Sequence, residues 1–174
     1  MSREAAWIGT RDGRKFWPLD PNRADTHPDD LAWALGNKCR FTGYCDKFYS
    51  VAQHCVLIAR KFRRKALRQW ALLHDAAEAY LPDVATPIKW AFYARSPVSR
   101  HIVPFTELED DILFRVLGQH SPHLSWPMPG PVKLADRRMV VTEKRDLFAG
   151  TSPAWPAYSD VKPYRERDRP LAGR

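Results

Sequence analysis

Apolar residues recur at helical spacing in stretch after stretch of this chain and alternate in only one. That pattern restricts the fold to helices packed on helices, because a half-buried strand needs a period of two. A helix is predicted over "PDDLAWAL" (28–35), entered through Thr26 or His27, with Pro28 in its first turn and Gly36-Asn37 at its end. Ser50 should cap a second helix, "VAQHCVLIARKF" (51–62), in which Val51, Cys55, Ile58 and Phe62 share one face. A third, "ALRQWALLHDAAEAYL" (66–81), is stopped by Pro82, and a short helix lies within "DVATPIKWAFYA" (83–94). "TELEDDILFRVLG" (106–118) is amphipathic with Thr106 as its cap, and "VKLADRRMVVTEKRDLF" (132–148) is the last helix. Alternation appears only in "AAWIGTRDGRKFWPL" (5–19), where Asp12-Gly13 predicts a β-hairpin. The expected fold class is all-α with a small N-terminal hairpin. The 174 residues suffice for one domain with its own core, followed by a Pro/Arg-rich tail over 149–174.

The formal net charge of +8 points to an anionic partner, such as a nucleotide, nucleic acid or phosphorylated metabolite. Much of the excess sits in "RKFRRKALR" (60–68) and "YRERDRPLAGR" (164–174), runs that usually form solvated faces. The three cysteines (Cys39, Cys45 and Cys55) are too few and odd in number for a disulfide framework, so a reducing cytoplasm is expected. No stretch approaches the roughly 18 apolar residues of a membrane span, so no membrane partner is expected.

Against this background one helix is anomalous. His74, Asp75 and Glu78 interrupt an otherwise apolar stretch, and Glu78 lies four residues after His74 and three after Asp75, on the same helical face. His54, flanked by Val51 and Ile58, points toward the packed side of the preceding helix. Asp136 in "KLADRRM" falls between Val132 and Val140 at helical spacing. Each residue alone is ordinary: a core histidine is usually just hydrogen-bonded, and a helical aspartate is usually exposed. Three helices each directing such a group inward are less ordinary, and imidazoles with carboxylates suit a divalent ion such as Mn, Co, Zn, Fe or Ni.

The series His54, His74-Asp75 and Asp136 resembles the metal signature of the HD-domain phosphohydrolases. "HDAAEAYLPDVATPIK" (74–89) and "CRFTGYCDKFYSVAQHC" (39–55) are similar to segments of the 5′-deoxynucleotidases of that superfamily. "RKFWPLDP", "ALGNKCRF", "FYSVAQH" and "TEKRDL" have close counterparts in small bacterial and phage members, so the similarity runs from about residue 7 to 148. The resemblance implies an HD-domain helical bundle in which His54, His74, Asp75 and Asp136 hold one divalent ion, with Mg added to the candidates. It implies Glu78 and Asp83 as the catalytic acids, with Glu78 favoured for the attacking water. It further implies Arg40 as a phosphate grip, Phe41 as a stacking residue and Lys89 as a second phosphate contact. Phe41 replaces the nucleotidases' Trp, Gln53 stands where they carry Glu, and Tyr44 stands where bacterial members often have His; no metal ligand is changed. The implied substrate is a deoxynucleotide, either a monophosphate yielding phosphate or a triphosphate such as dATP yielding triphosphate. A homo-oligomer, a dimer or larger, is also implied, in a bacterial or phage-infected cytoplasm.

Two other readings compete. A non-catalytic basic module binding nucleic acid through 60–68 and the tail would have no use for inward-facing ligands. Nucleic acid is therefore not expected as a partner. A structural zinc site on Cys39, Cys45, His54 and Cys55 matches no ordinary ligand spacing and draws Cys55 from the core stripe.

Overall fold

The computed structural model describes residues 7–21, 26–95, 101–148, 150 and 153–165. Six α-helices dominate them: α1 (Pro28–Asn37), α2 (Val51–Ala59), α3 (Lys65–Leu73), α4 (Thr86–Lys89), α5 (Phe105–His120) and α6 (Gly130–Leu147). The fold is all-α. At its front, β1 (Ile8–Gly9) and β2 (Lys15–Phe16) pair antiparallel, and Gly13 takes the positive φ of 83° that the turn requires. This is the hairpin predicted around Asp12-Gly13. Phe16 drops from it into the core and stacks on Tyr80, with ring centroids 3.6 Å apart.

The helix α2 packs against α1, α3 and α6, and α5 covers the 3-10 turn that follows α3. Ile58, Trp70, Ile112, Val116, Val132 and Met139 form the fully buried centre. Helix α2 begins where predicted. Ser50 accepts from Gln53 N at 3.1 Å, while Gln53 Oε1 accepts from Ser50 N at 2.8 Å, a reciprocal capping box. The cap fixes the first turn of the helix that carries His54.

Several boundaries differ from the sequence expectations. Helix α2 stops at Ala59, and Phe62 follows a turn closed by its N–H on Ala59. The segment 66–81 is not one helix. Helix α3 ends at Leu73, His74-Asp75 form a turn, and Ala76–Ala79 continue as a 3-10 helix with Glu78 N–H donating to Asp75 O at 3.0 Å. Three residues per turn set Glu78 directly over Asp75 instead of spreading it between His74 and Asp75. Thr106 does not cap α5; Pro104 occupies the N-cap, because β4 (Ile102–Pro104) runs straight into the helix. That strand pairs with β3 (Tyr93–Arg95) in a second ribbon absent from the sequence reading. Helix α1, by contrast, starts at Pro28 as expected, with His27 at its N-cap and no side-chain cap hydrogen bond there; Thr26 hydrogen-bonds to Gln119 and His120 of α5.

Most of the basic tail from 164 lies outside the described residues. Among the described residues no helix is long and apolar enough to cross a membrane.

Ser50→Ala removes one half of the capping box and should lower stability by about 0.5–2 kcal/mol. Urea denaturation of the two proteins measures it, and an unchanged midpoint would contradict the assigned cap.

Candidate metal centre

The site forms where α2, the end of α3 and α6 meet. His54 and His74 are buried, and Asp75 and Asp136 reach the same point from the turn and from α6. His54 Nε2 lies 3.1 Å from Asp136 Oδ1 and 3.7 Å from Asp75 Oδ2. His74 Nε2 lies 3.4 Å from Asp75 Oδ2 and 3.8 Å from Asp136 Oδ1. One ligand atom each from His54, His74 and Asp136 fits within 4.8 Å, so this group can hold a metal ion. Asp75 adjoins it through both imidazoles. The four residues singled out in the sequence are brought together.

The second nitrogen of each ring decides what the first can do. His54 Nδ1 donates to Glu143 Oε1 at 2.6 Å, and His74 Nδ1 donates to Ala71 O at 2.9 Å. Both bonds orient the rings and direct Nε2 inward, the usual arrangement behind a metal-ligating imidazole. His74 Nε2 is buried without a hydrogen-bond partner, as a ligand atom would be. Cys55, His74 and Asp75 form a second geometric triplet, but the Cys55 thiol lies 3.9 Å from Nδ1, the nitrogen engaged with Ala71. The donor set His54, His74, Asp75 and Asp136 therefore fits a divalent first-row ion better than one including the thiol.

The electrostatics have one cause, carboxylates and imidazoles converging in a buried space. Burial would raise the pKa of Asp136, but the hydrogen bond to His54 and the neighbouring His74 imidazole hold it well below the usual carboxylate range. Burial and the Arg40 charge oppose protonation of His54, yet Glu143 and Asp136 outweigh them and raise its pKa. His74 is raised further: burial is overcome by Asp75, Cys55 and Asp136. A positive charge among these groups, whether protons or a cation, stabilises the arrangement.

The other predicted residues surround this centre. Arg40 is buried; its Nη1 donates to Asp75 Oδ2 at 3.2 Å, and its Nε lies 3.4 Å from Glu143 Oε2. Phe41 sits beside it with its ring packed against Phe148 and Trp155. Glu78 is buried, with Oε2 unpartnered, and burial followed by the Asp75 and Asp83 charges pushes its pKa up to about 8. Lys89 Nζ lies 2.6 Å from Glu109 Oε1 and 4.0 Å from Glu78 Oε1. Asp83 is half-buried on the loop after the 3-10 turn, near enough to act on Glu78 and Lys38.

Sequence reasoning missed Glu143, Tyr49, Glu109 and Lys38. Glu143 accepts from Tyr49 at 2.8 Å as well as from His54, and Lys38 donates to the carbonyls of Glu78 and Leu81. For Glu143 a signal was present, since it lies seven residues after Asp136 on the same apolar stripe.

No protein-family model matches the chain. It is 33% identical over 156 residues to the uncharacterized protein YfdR of Escherichia coli (strain K12), covering 90% of this chain and 80% of that protein. An uncharacterized protein of Rhodobacter capsulatus is 38% identical over 160 residues, covering 86% of this chain and 76% of its own length. The chain belongs to the same family as YfdR.

Glu143→Gln keeps the shape of the side chain but removes the charge behind His54. Affinity for Mn or Co should fall about 10- to 100-fold, as measured by equilibrium dialysis, and unchanged affinity would contradict the role given to Glu143.

Proposed function

We propose that this protein is a metal-dependent phosphohydrolase of the HD-domain type acting on deoxynucleotides. The observation that carries the reading is the convergence of two imidazole Nε2 atoms and two carboxylates beside a buried glutamate with one oxygen free of hydrogen bonds, and two cationic side chains. The motif resemblance over 39–55 and 74–89 supports it.

His54, His74, Asp75 and Asp136 would hold one divalent ion. When bound, such an ion supplies Lewis acidity toward a phosphate oxygen and toward the attacking water. Glu78 accepts the proton of that water. Its raised pKa suits a group that must take up and release a proton near neutrality. The water oxygen bonds to phosphorus while the bond to the 5′-oxygen breaks, and Asp83 positions or protonates the departing oxygen, the proton taken from the water balancing the one that oxygen gains. Arg40 and Lys89 supply positive charge to the phosphate; Arg40 has the planar fork that matches two phosphate oxygens. The same bond breaks whether the substrate is a monophosphate, releasing phosphate, or a triphosphate, releasing triphosphate. A homo-oligomer and a cytoplasmic setting belong to this reading.

The alternative, a basic nucleic-acid module binding through 60–68 and the tail, gives no use to the buried histidines and carboxylates, and the cationic side chains of α6 are engaged within the chain. Arg137, Arg138, Lys144 and Arg145 all hydrogen-bond to the segment after α6.

The test is to strip the protein of metal, restore Mn, Co, Zn or Mg, and assay every dNMP and dNTP for released phosphate or triphosphate. Turnover with at least one pair is expected. Asp75→Ala should lose both bound metal and turnover, whereas Glu78→Ala should keep the metal and lose about 100-fold or more in rate. No turnover with any metal and nucleotide would overturn the function, and full turnover by Glu78→Ala would overturn the role of that residue.

A further inference from the structure

Helix α5 lies against the 3-10 turn that carries Glu78, and one of its carboxylates reaches the edge of the site. Glu109, in the second turn of α5, accepts from Lys89 Nζ at 2.6 Å. The same Nζ lies 4.0 Å from Glu78 Oε1, at the outer limit of an ion pair and beyond hydrogen-bonding reach. Glu78 is tied in turn to Asp75, whose carbonyl accepts from its N–H at 3.0 Å. Three charged side chains thus stand in series beside the metal centre. All are largely withdrawn from solvent, with 16% of the Glu109 side chain exposed, 19% of Lys89 and 8% of Glu78, so solvent screens the contacts weakly.

The backbones at both ends of the Glu109–Lys89 contact are anchored. Lys89 closes α4, its N–H donating to Ala85 O at 3.1 Å, and its own carbonyl accepts from Phe92 N at 3.2 Å. Phe105 N donates to Phe92 O at 3.0 Å and the two rings meet edge to face, which fastens the start of α5 to the chain leaving α4. What the backbone does not fix is the ammonium, which sits on a flexible four-carbon stem. Among the described residues two carboxylates lie within ion-pair distance of it, Glu109 and Glu78, and Glu109 is the nearer. Burial works against the charge on Lys89, but the hydrogen bond and charge of Glu109 outweigh it and raise the lysine's pKa. Burial also raises the pKa of Glu109, and Lys89 opposes that rise, so each group supports the charge of the other. An ammonium has three N–H donors; Glu109 takes one and leaves two. Pairing with Glu78 instead would occupy both the cation that phosphate needs and the carboxylate that the water needs.

We propose that Glu109 is a positioning residue that holds the Lys89 ammonium clear of Glu78, keeping the first for phosphate and the second for the attacking water. This inference rests on the phosphohydrolase reading and assigns a residue outside the segments 39–55 and 74–89 that support it.

The experiment compares full-length, metal-loaded wild type, Glu109→Gln, Lys89→Met and the double variant. It reads KM on the nucleotide that the wild type hydrolyses best and, separately, the Kd of inorganic phosphate. A carboxylate that is merely close to an anion site repels the anion, so neutralising it would tighten phosphate binding. A positioning Glu109 gives the opposite sign: Glu109→Gln should raise KM and the phosphate Kd about tenfold, with bound metal unchanged. In the Lys89→Met background the same substitution should weaken phosphate no further, because Glu109 acts through that amine. Glu109→Asp keeps the charge but draws it back by one methylene; it should lose less, and it carries the same cycle if Glu109→Gln does not fold. Phosphate binding that is tighter or unchanged in these variants would overturn this proposal alone, as would an equal loss with and without Lys89. A wild type that neither binds phosphate nor turns over any nucleotide would overturn it together with the proposed function.

Discussion

The structure depends on a carboxylate placed where carboxylates rarely go. Glu143 of α6 is fully buried, and isolating such a charge from water costs several kcal/mol unless partners compensate. Three do: His54 at 2.6 Å, Tyr49 at 2.8 Å and Arg40 at 3.4 Å. Burial alone would raise its pKa, but His54 and Arg40 keep it below the usual value. The cluster joins α6 to α2 and to the connection before α2. It fixes which nitrogen of His54 faces inward and where Arg40 sits, and so it sets the candidate metal centre and the turn at Phe41 together.

Much of this was legible in the sequence, for identifiable reasons. Ser50 followed by Gln53 gave the cap of α2, and Asp12-Gly13 gave the hairpin turn, because both are local chemistry. The candidate ligands stood out because His54, His74 and Asp136 contradict the apolar faces on which they lie. What failed was non-local or depended on exact geometry. The change from α to 3-10 at His74 follows from the turn it shares with Asp75 and the 3-10 hydrogen bonds beyond, which periodicity does not record. The β3–β4 ribbon is two strands of three residues, too short for alternation to register. Glu143 lies on the apolar stripe of Asp136, but that position was outweighed because a glutamate in a charged helix ordinarily faces solvent.

Arg40 shows how the parts are coupled. Its guanidinium bonds Asp75 on one side, nears Glu143 on another and lies 5.2 Å from the Phe41 ring. One buried cation thus balances carboxylates from α6 and from the turn after α3, and positions the ring on which Trp155 rests. The basic surplus that first suggested a nucleic-acid partner has a partly structural use, since α6 spends four of its cationic side chains fastening the segment that carries Trp155.

The central claim is that His54, His74, Asp75 and Asp136 form one metal centre. Anomalous diffraction from crystals soaked in Mn or Co, recorded at the absorption edge, tests it directly. The account predicts a single strong peak bonded to both Nε2 atoms and to the carboxylates of Asp75 and Asp136. No peak at that point, or a peak bonded instead to the Cys55 sulfur, would contradict it.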